Sequence, residues 1–216
     1  MTIVERVLFF APEKGQGSFM KIYLKTCSLY EVRKAIEYSL IDGLSLLPED
    51  GEEKCVAADN DSKSIVSCIN GPVFVPVSGN STEKILNESL QLLRLSPSTV
   101  ISIKATLEGF KACKLLASKD VSVKMGGLSS VTKAIMAAKS GADFVSFNMN
   151  TVQEQLGSDY SILGETISLV GIHGLRAKVL AEVYDDSIDL NDLTRMGING
   201  IELPFQTLMK FMENDS

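Results

Sequence analysis

The sequence has no tryptophan and a single histidine, His173. One imidazole cannot build a multi-histidine zinc site. The four cysteines, Cys27, Cys55, Cys68 and Cys113, contain no CxxC pair. A structural zinc would have to gather all of them from distant points of the chain, so no metal is expected. His173 lies in GIHG and reads as a surface residue at a helix end. No run approaches the ~18 apolar residues of a membrane span. The start, MTIVERVLFFAPEKG, lacks the basic lead and long apolar core of a secretory signal. Positive charge is also scarce: 21 Lys and Arg against 27 Asp and Glu give a net charge of −6. That balance gives no bulk attraction to nucleic acid or to an anionic membrane surface, which favours a small soluble partner. The expectation is a cytoplasmic protein with reduced thiols. What is present is an ordinary globular composition. With 216 residues, 45% hydrophobic and 22% charged, the chain is sized for one domain with one core.

Residues 1–19 read as an N-terminal extension, and residues 20–216 as the folded domain. From Met20 onward, β-rich and helix-like segments alternate. The strands are KIYLKT, GLSLL, PVFVPV, STVISIK, VSVKM, DFVSFN, KVLAEV and GIEL. Helical spacing follows each one. Ser28 with Glu31 forms a capping box before SLYEVRKAIEYSL, and Asn80 with Glu83 gives a similar start signal. The stretch after strand two, PEDGEEKCVAADNDSK, is an acidic loop with room for a short helix. A long helical stretch covers 152–172, with interruptions expected near Gly157 and Gly164. SLIDGLSL, SGADFVSF and MGINGIEL repeat one theme, a helix end and tight turn entering a strand. Eight strands, each followed by a helix, predict an α/β fold: a single-domain (β/α)8 TIM barrel. A doubly wound open sheet is the alternative, but no GxGxxG or P-loop follows any strand.

Active sites of such barrels lie at the C-terminal ends of the strands, on inward-facing positions. Val100, Ser102 and Lys104 share one face of strand four, which places Lys104 at the mouth. Lys25 and Lys124 stand near the ends of strands one and five. Glu182 ends strand seven, Glu202 lies within strand eight, and Ser146 and Asn148 share a face of strand six. A mouth lysine becomes a nucleophile when burial or a second cation depresses its pKa, and Lys104 and Lys124 come from adjacent strands. Each lysine can equally snorkel to solvent. Glu202 and Lys25 sit on strands that adjoin on closure, so a structural ion pair between them is also expected.

From Met20 to about Asn214 the chain resembles the small transaldolase and fructose-6-phosphate aldolase family. The resemblance is carried by SLYEVRKAIEYSLIDGLSLLPE, TVISIKATLEGFKACKLLASKDVSVKM, AIMAAKSGADFVS, AKVLAEV and GINGIELPFQTLMK, in matching order and spacing. It implies the same barrel, no cofactor, a sugar or sugar-phosphate ligand and a homo-oligomer, in the family a ring. An apolar terminal helix with Phe205, Leu208, Met209, Phe211 and Met212 is suited to such docking. The implied chemistry is Schiff-base aldol cleavage by a lysine on strand four. Aligning Thr106, Glu108 and Gly109 with the family pattern puts Ser102 at that lysine's place and Lys104 at a proline. The strand-one Asp falls on Lys25, the strand-two Asn on Leu47, the strand-three acid on Pro76 and the strand-five Asn on Lys124. The Thr two residues beyond falls on Gly126. Ser146 is kept, the aromatic after it is Asn148, and the phosphate-binding Arg falls on Thr151. The strand-seven Ser falls near Val183, followed by Asp185 and Asp186.

Three expectations follow. In the first, the barrel has lost its aldol chemistry and serves in binding or structure. In the second, a relocated lysine, Lys104 or Lys124, supplies the amine. In the third, a new reaction uses Lys25, Lys104, Lys124, Glu182 and Glu202. The candidate catalytic residues are Lys104, Lys124, Lys25, Ser102, Ser146 and Glu202, and the candidate substrate-binding residues are Asn148, Gly126 and Glu182.

Overall fold

A computed structural model describes residues 20–46, 60–157, 160–184 and 187–213. The extension 1–19, Leu47 and most of the acidic loop after strand two, and Asp185 and Asp186 lie outside the described residues. The strands are β1 (Lys21–Lys25), β2 (Gly43–Ser45), β3 (Val73–Pro76), β4 (Thr99–Lys104), β5 (Val123–Gly126), β6 (Phe144–Asn148), β7 (Lys178–Glu182) and β8 (Gly200–Pro204). Each pairs in parallel with the next, and β8 returns to β1, closing a single-domain (β/α)8 barrel. The helices are α1 (Leu29–Glu37), α2 (Asn60–Val66), α3 (Thr82–Leu92), α4 (Leu107–Ala117), α5 (Val131–Lys139), α6 (Met149–Leu156), α7 (Ser161–Ile172), α8 (Leu190–Arg195) and α9 (Phe205–Glu213). Among the described residues no helix is long and apolar enough to cross a membrane. None of them forms a His, Cys, Asp or Glu cluster fit to hold a metal ion.

Two-residue alternation divides the core. Leu24, Leu44, Val75, Ile101, Met125, Val145, Ala181 and Ile201 face outward and join the helices in the main core. Tyr23, Phe74, Val100, Phe144 and Leu180 face inward and form a separate cluster in the barrel. Tyr23 meets Phe74 edge to face at 4.8 Å, and Phe74 meets Phe144 at 5.0 Å. The Tyr23 ring fits because two neighbours have no side chain. A Cβ on Gly43 would stand 2.8 Å from Tyr23 Cδ1, and one on Gly200 2.7 Å from Tyr23 Cε2. This aromatic layer is the floor on which the mouth residues stand.

The repeated turn theme has a physical basis. Asp42 Oδ2 accepts from the Ile22 N–H at 3.0 Å, Asp143 Oδ2 from Val123 N–H at 3.2 Å, and Asn199 Oδ1 from Val179 N–H at 2.7 Å. Each copy uses one polar side chain to satisfy a donor at the start of a neighbouring strand, at the end of the barrel away from the mouth.

Local signals hold with adjustments. Ser28 caps α1 through the Glu31 N–H, but the Glu31 carboxylate accepts from the Thr26 hydroxyl instead of turning back to Ser28. The cap of α3 is Ser81, not Asn80, because the extended backbone at Ser81 brings its hydroxyl to the Lys84 N–H. The stretch 152–172 is two helices, parted at Gly157, whose φ is +66°. Gly164 continues inside α7. His173 is the exposed C-cap residue of α7. Four reduced thiols were expected, but Cys27 is disulfide-bonded while Cys68 and Cys113 are free. Spacing alone does not reveal which thiols approach in space.

Candidate functional site

Parallel pairing sets Glu182 directly beside Glu202 on β7 and β8. Both point inward, so two carboxylates would meet in a dry interior unless a cation entered between them. Lys124, reaching across from β5, supplies it. Its Nζ lies 2.5 Å from Glu202 Oε1 and 3.2 Å from Glu182 Oε1. Lys25 approaches from β1, its Nζ 3.7 Å from Glu182 Oε2, an ion pair too long for a hydrogen bond. Ser146 Oγ donates to Glu182 Oε1 at 2.5 Å, and the Tyr184 hydroxyl donates to Glu182 Oε2 at 3.3 Å. Lys25 and Lys124 are each 1% exposed, Glu202 0% and Glu182 7%, so this is an interior network and not a rim of solvated charges.

The two amines differ in kind. Burial lowers the Lys124 pKa, but Glu182 and Glu202 outweigh it and hold the pKa above the usual lysine value. Burial also lowers that of Lys25; Glu182 and Glu202 oppose it, the Lys124 charge adds to it, and the net direction is down. Burial raises the Glu182 pKa, yet Lys124, Lys25 and Ser146 together pull it well below the carboxylate range. The Tyr184 phenol is pushed up by burial and by Glu182 and Glu202. Lys25 Nζ stands 3.5 Å from the centroid of the Tyr184 ring, on its face. Among the described residues, Lys25 Nζ, Glu202 Oε2 and Ser45 Oγ are buried without a hydrogen-bond partner.

The structure therefore brings together Lys25, Lys124, Ser146, Glu182 and Glu202. Gly126 adjoins them: a Cβ there would lie 3.1 Å from Ser146 Oγ and 3.3 Å from Glu182 Oε1. Lys104 stands apart, exposed at the end of β4. It lines a cleft of about 450 Å³ with Val77, Gly79, Asn80, Thr106 and Glu108. Ser102 is half-buried between Pro76 and Lys124 in register. Asn148 Oδ1 accepts from the Thr151 N–H at 3.1 Å and caps α6. The expected Lys25–Glu202 ion pair is not formed. Closure sets Glu202 beside Tyr23 and Lys25 beside Pro204, and the Glu202 carboxylate reaches Lys124 instead. The amine whose pKa a second cation lowers is Lys25, and that cation is Lys124. Tyr184 was not anticipated, although its spacing of two residues from Glu182 was a usable signal.

A closed parallel eight-stranded barrel with helices between its strands defines the class as (β/α)8 barrel proteins. Within that class, the chain belongs to the transaldolase/fructose-6-phosphate aldolase family, whose model matches residues 32–215. A probable transaldolase of Kosmotoga olearia is 27% identical over 195 residues, covering 90% of this chain and 89% of that protein. One from Methanococcus maripaludis is 26% identical over 200 residues, covering 90% and 91%. One from Desulfitobacterium hafniense is 25% identical over 195 residues, covering 90% and 92%.

Proposed function

We propose that this family member does not cleave sugar phosphates through Lys104 or Lys124, and that its barrel serves as a binding or structural unit. The observation that carries this reading is the Lys124 ammonium shared between Glu202 and Glu182. An amine must lose its proton to attack a carbonyl. Here deprotonation would strip two adjoining buried carboxylates of their shared counter-ion, each contact being worth about 1.5–3 kcal/mol. Ser102 at the place where the resemblance implies the lysine agrees with this, as does Asn148, engaged as a helix cap. A sugar-like ligand is retained as an expectation, as is a homo-oligomer. In α9, Leu208 packs on the chain's own barrel while Met212 is 55% exposed.

A second reading, a relocated amine at Lys104, is favoured by the cleft that Lys104 lines. One experiment separates the two. The protein is incubated with fructose 6-phosphate or dihydroxyacetone and reduced with borohydride, its lysines are mapped by mass, and released glyceraldehyde 3-phosphate is measured in parallel. The expected result is no adduct on Lys104 or Lys124 and no released product. An adduct on either lysine, or product release, overturns the proposal.

A further inference from the structure

We propose that the cleft between the C-terminal ends of β3 and β4 binds a small amphipathic monocarboxylate, its apolar body against Leu107 and its carboxylate on Lys104. The cleft measures about 450 Å³, and the interior residues Lys25, Lys124, Glu182 and Glu202 do not line it. Its apolar wall is Val77, Ile85, Ile103 and Leu107. Three of these are buried, but Leu107 is 83% exposed at the first position of α4. A ligand with an apolar body would complete the wall by taking Leu107 out of water.

Two glycines shape the cleft in advance. A Cβ on Gly79 would stand 2.8 Å from the Ile85 nitrogen, so glycine is what lets loop 77–80 lie this close to α3. A Cβ on Gly109 would stand 2.2 Å from the Lys104 carbonyl oxygen, so glycine is also what lets α4 begin over the end of β4. Glu88 Oε2 holds the loop further, accepting from the Ser78 and Gly79 N–H groups at 3.0 Å each. A preformed wall spares a ligand the entropy of ordering it.

Charge selects the head group. The cation lining the cleft is Lys104, exposed at the end of β4. The carboxylate lining it is Glu108, which is already engaged. Its Oε1 takes Lys111 Nζ at 2.7 Å, and its Oε2 takes the Thr82 hydroxyl at 2.6 Å and N–H at 3.2 Å. A ligand ammonium would have to compete with those donors, whereas an anion meets the Lys104 ammonium directly. A dianionic phosphate would face the Glu108 charge more strongly than a single carboxylate does. Thr106 Oγ1 accepts from the Gly109 N–H at 3.0 Å, and its hydroxyl proton is available to the head group. A sugar phosphate needs the reverse of this cleft, polar walls for its hydroxyls and room for two charges. The assignment deepens the binding role proposed above, on which it rests, by giving that role a site and a ligand class.

The test titrates octanoate at millimolar concentration into the full chain at pH 7 and follows the backbone amide signals by NMR. Expected are saturable shifts centred on Ser78, Gly79, Thr106, Leu107 and Glu108, with Ser146 and Glu182 unmoved. Octylamine and inorganic phosphate at the same concentration should leave that set in place. Lys104→Met should weaken octanoate binding at least about fivefold, the loss of one charge-assisted contact. Leu107→Ser should weaken it as well, and Lys34→Met, on α1, should not change it. Absence of saturable shifts in that set overturns the inference. So does equal binding of octylamine, tighter binding of phosphate there, or unchanged octanoate affinity in a Lys104→Met variant with native circular dichroism. The two proposals fail separately. Glyceraldehyde 3-phosphate release from fructose 6-phosphate, with octanoate still bound at the cleft, overturns the non-cleaving reading and supports this site.

Discussion

Replacing Lys124 by methionine isolates the energetic role of the network, because the side-chain volume is nearly kept while the charge is removed. In the native barrel the ammonium makes contacts of 2.5 Å and 3.2 Å with two carboxylates set side by side on β7 and β8. After substitution Glu182 retains Lys25 at 3.7 Å, Ser146 and Tyr184, but Glu202 keeps no close cation. Removing one partner of a buried pair costs about 3–5 kcal/mol, mostly from the charge left behind. For a domain of this size that corresponds to a fall in Tm of roughly 6–20 °C. Urea unfolding followed by circular dichroism at pH 7 measures it. Adding Glu202→Gln removes the stranded charge, so the double variant should regain more than half of the loss. The pH dependence has a definite sign. Glu182 has a depressed folded pKa, so its contribution in the native chain is complete above the unfolded value of about 4.3 and is lost only as pH falls through the folded value. Lys124 is the strongest influence lowering the Glu182 pKa, so removing it lets Glu182 take up its proton at higher pH, and the gap to the native chain should narrow toward pH 4. A loss under about 1 kcal/mol at pH 7, with no recovery in the double variant, would refute the idea that Lys124 is the counter-ion holding the mouth together.

Two further outcomes are expected. Lys25→Met should cost at least about 2 kcal/mol less than Lys124→Met, because burial already disfavours the Lys25 ammonium. The folded pKa of Lys25 is lowered, so between it and the unfolded value of about 10.4 the unfolded chain binds more protons. Native stability should therefore rise with pH across that window, and Lys25→Met should flatten the rise in urea titrations. Gly200→Ala puts a Cβ 2.7 Å from Tyr23 Cε2 and 2.9 Å from the Lys21 carbonyl oxygen, and should lower stability by about 1–3 kcal/mol in the same assay.

Much of the fold was legible because its signals are local. Alternating β-rich and helical segments and the Ser28 cap follow from hydrogen bonds and dihedral preferences within a few residues. The adjustments fall where two neighbours carry the same chemistry. Asn80 and Ser81 are both good caps, and only the backbone path selects Ser81. Glu31 could turn to Ser28 or to Thr26, and the chain leaving β1 offered Thr26. The site was legible as a set of residues but not as a set of partners. Alternation on each strand places Lys25, Lys124, Ser146, Glu182 and Glu202 inward, and the same rule would have added Tyr184.

By itself, the sequence determined the order of the strands, the inward face of each, the turn residues and the charged side chains delivered to the mouth. Those depend on spacing of two along a strand and on chemistry within single turns. Only the tertiary structure decided that Glu182 stands beside Glu202, that Lys124 crosses the barrel to reach both, and that Lys25 is left under Tyr184 without a hydrogen bond. The reason is that register and closure are global. They fix the height of each side chain against strands over a hundred residues away, and in a dry interior a displacement of one strand position decides which charges pair.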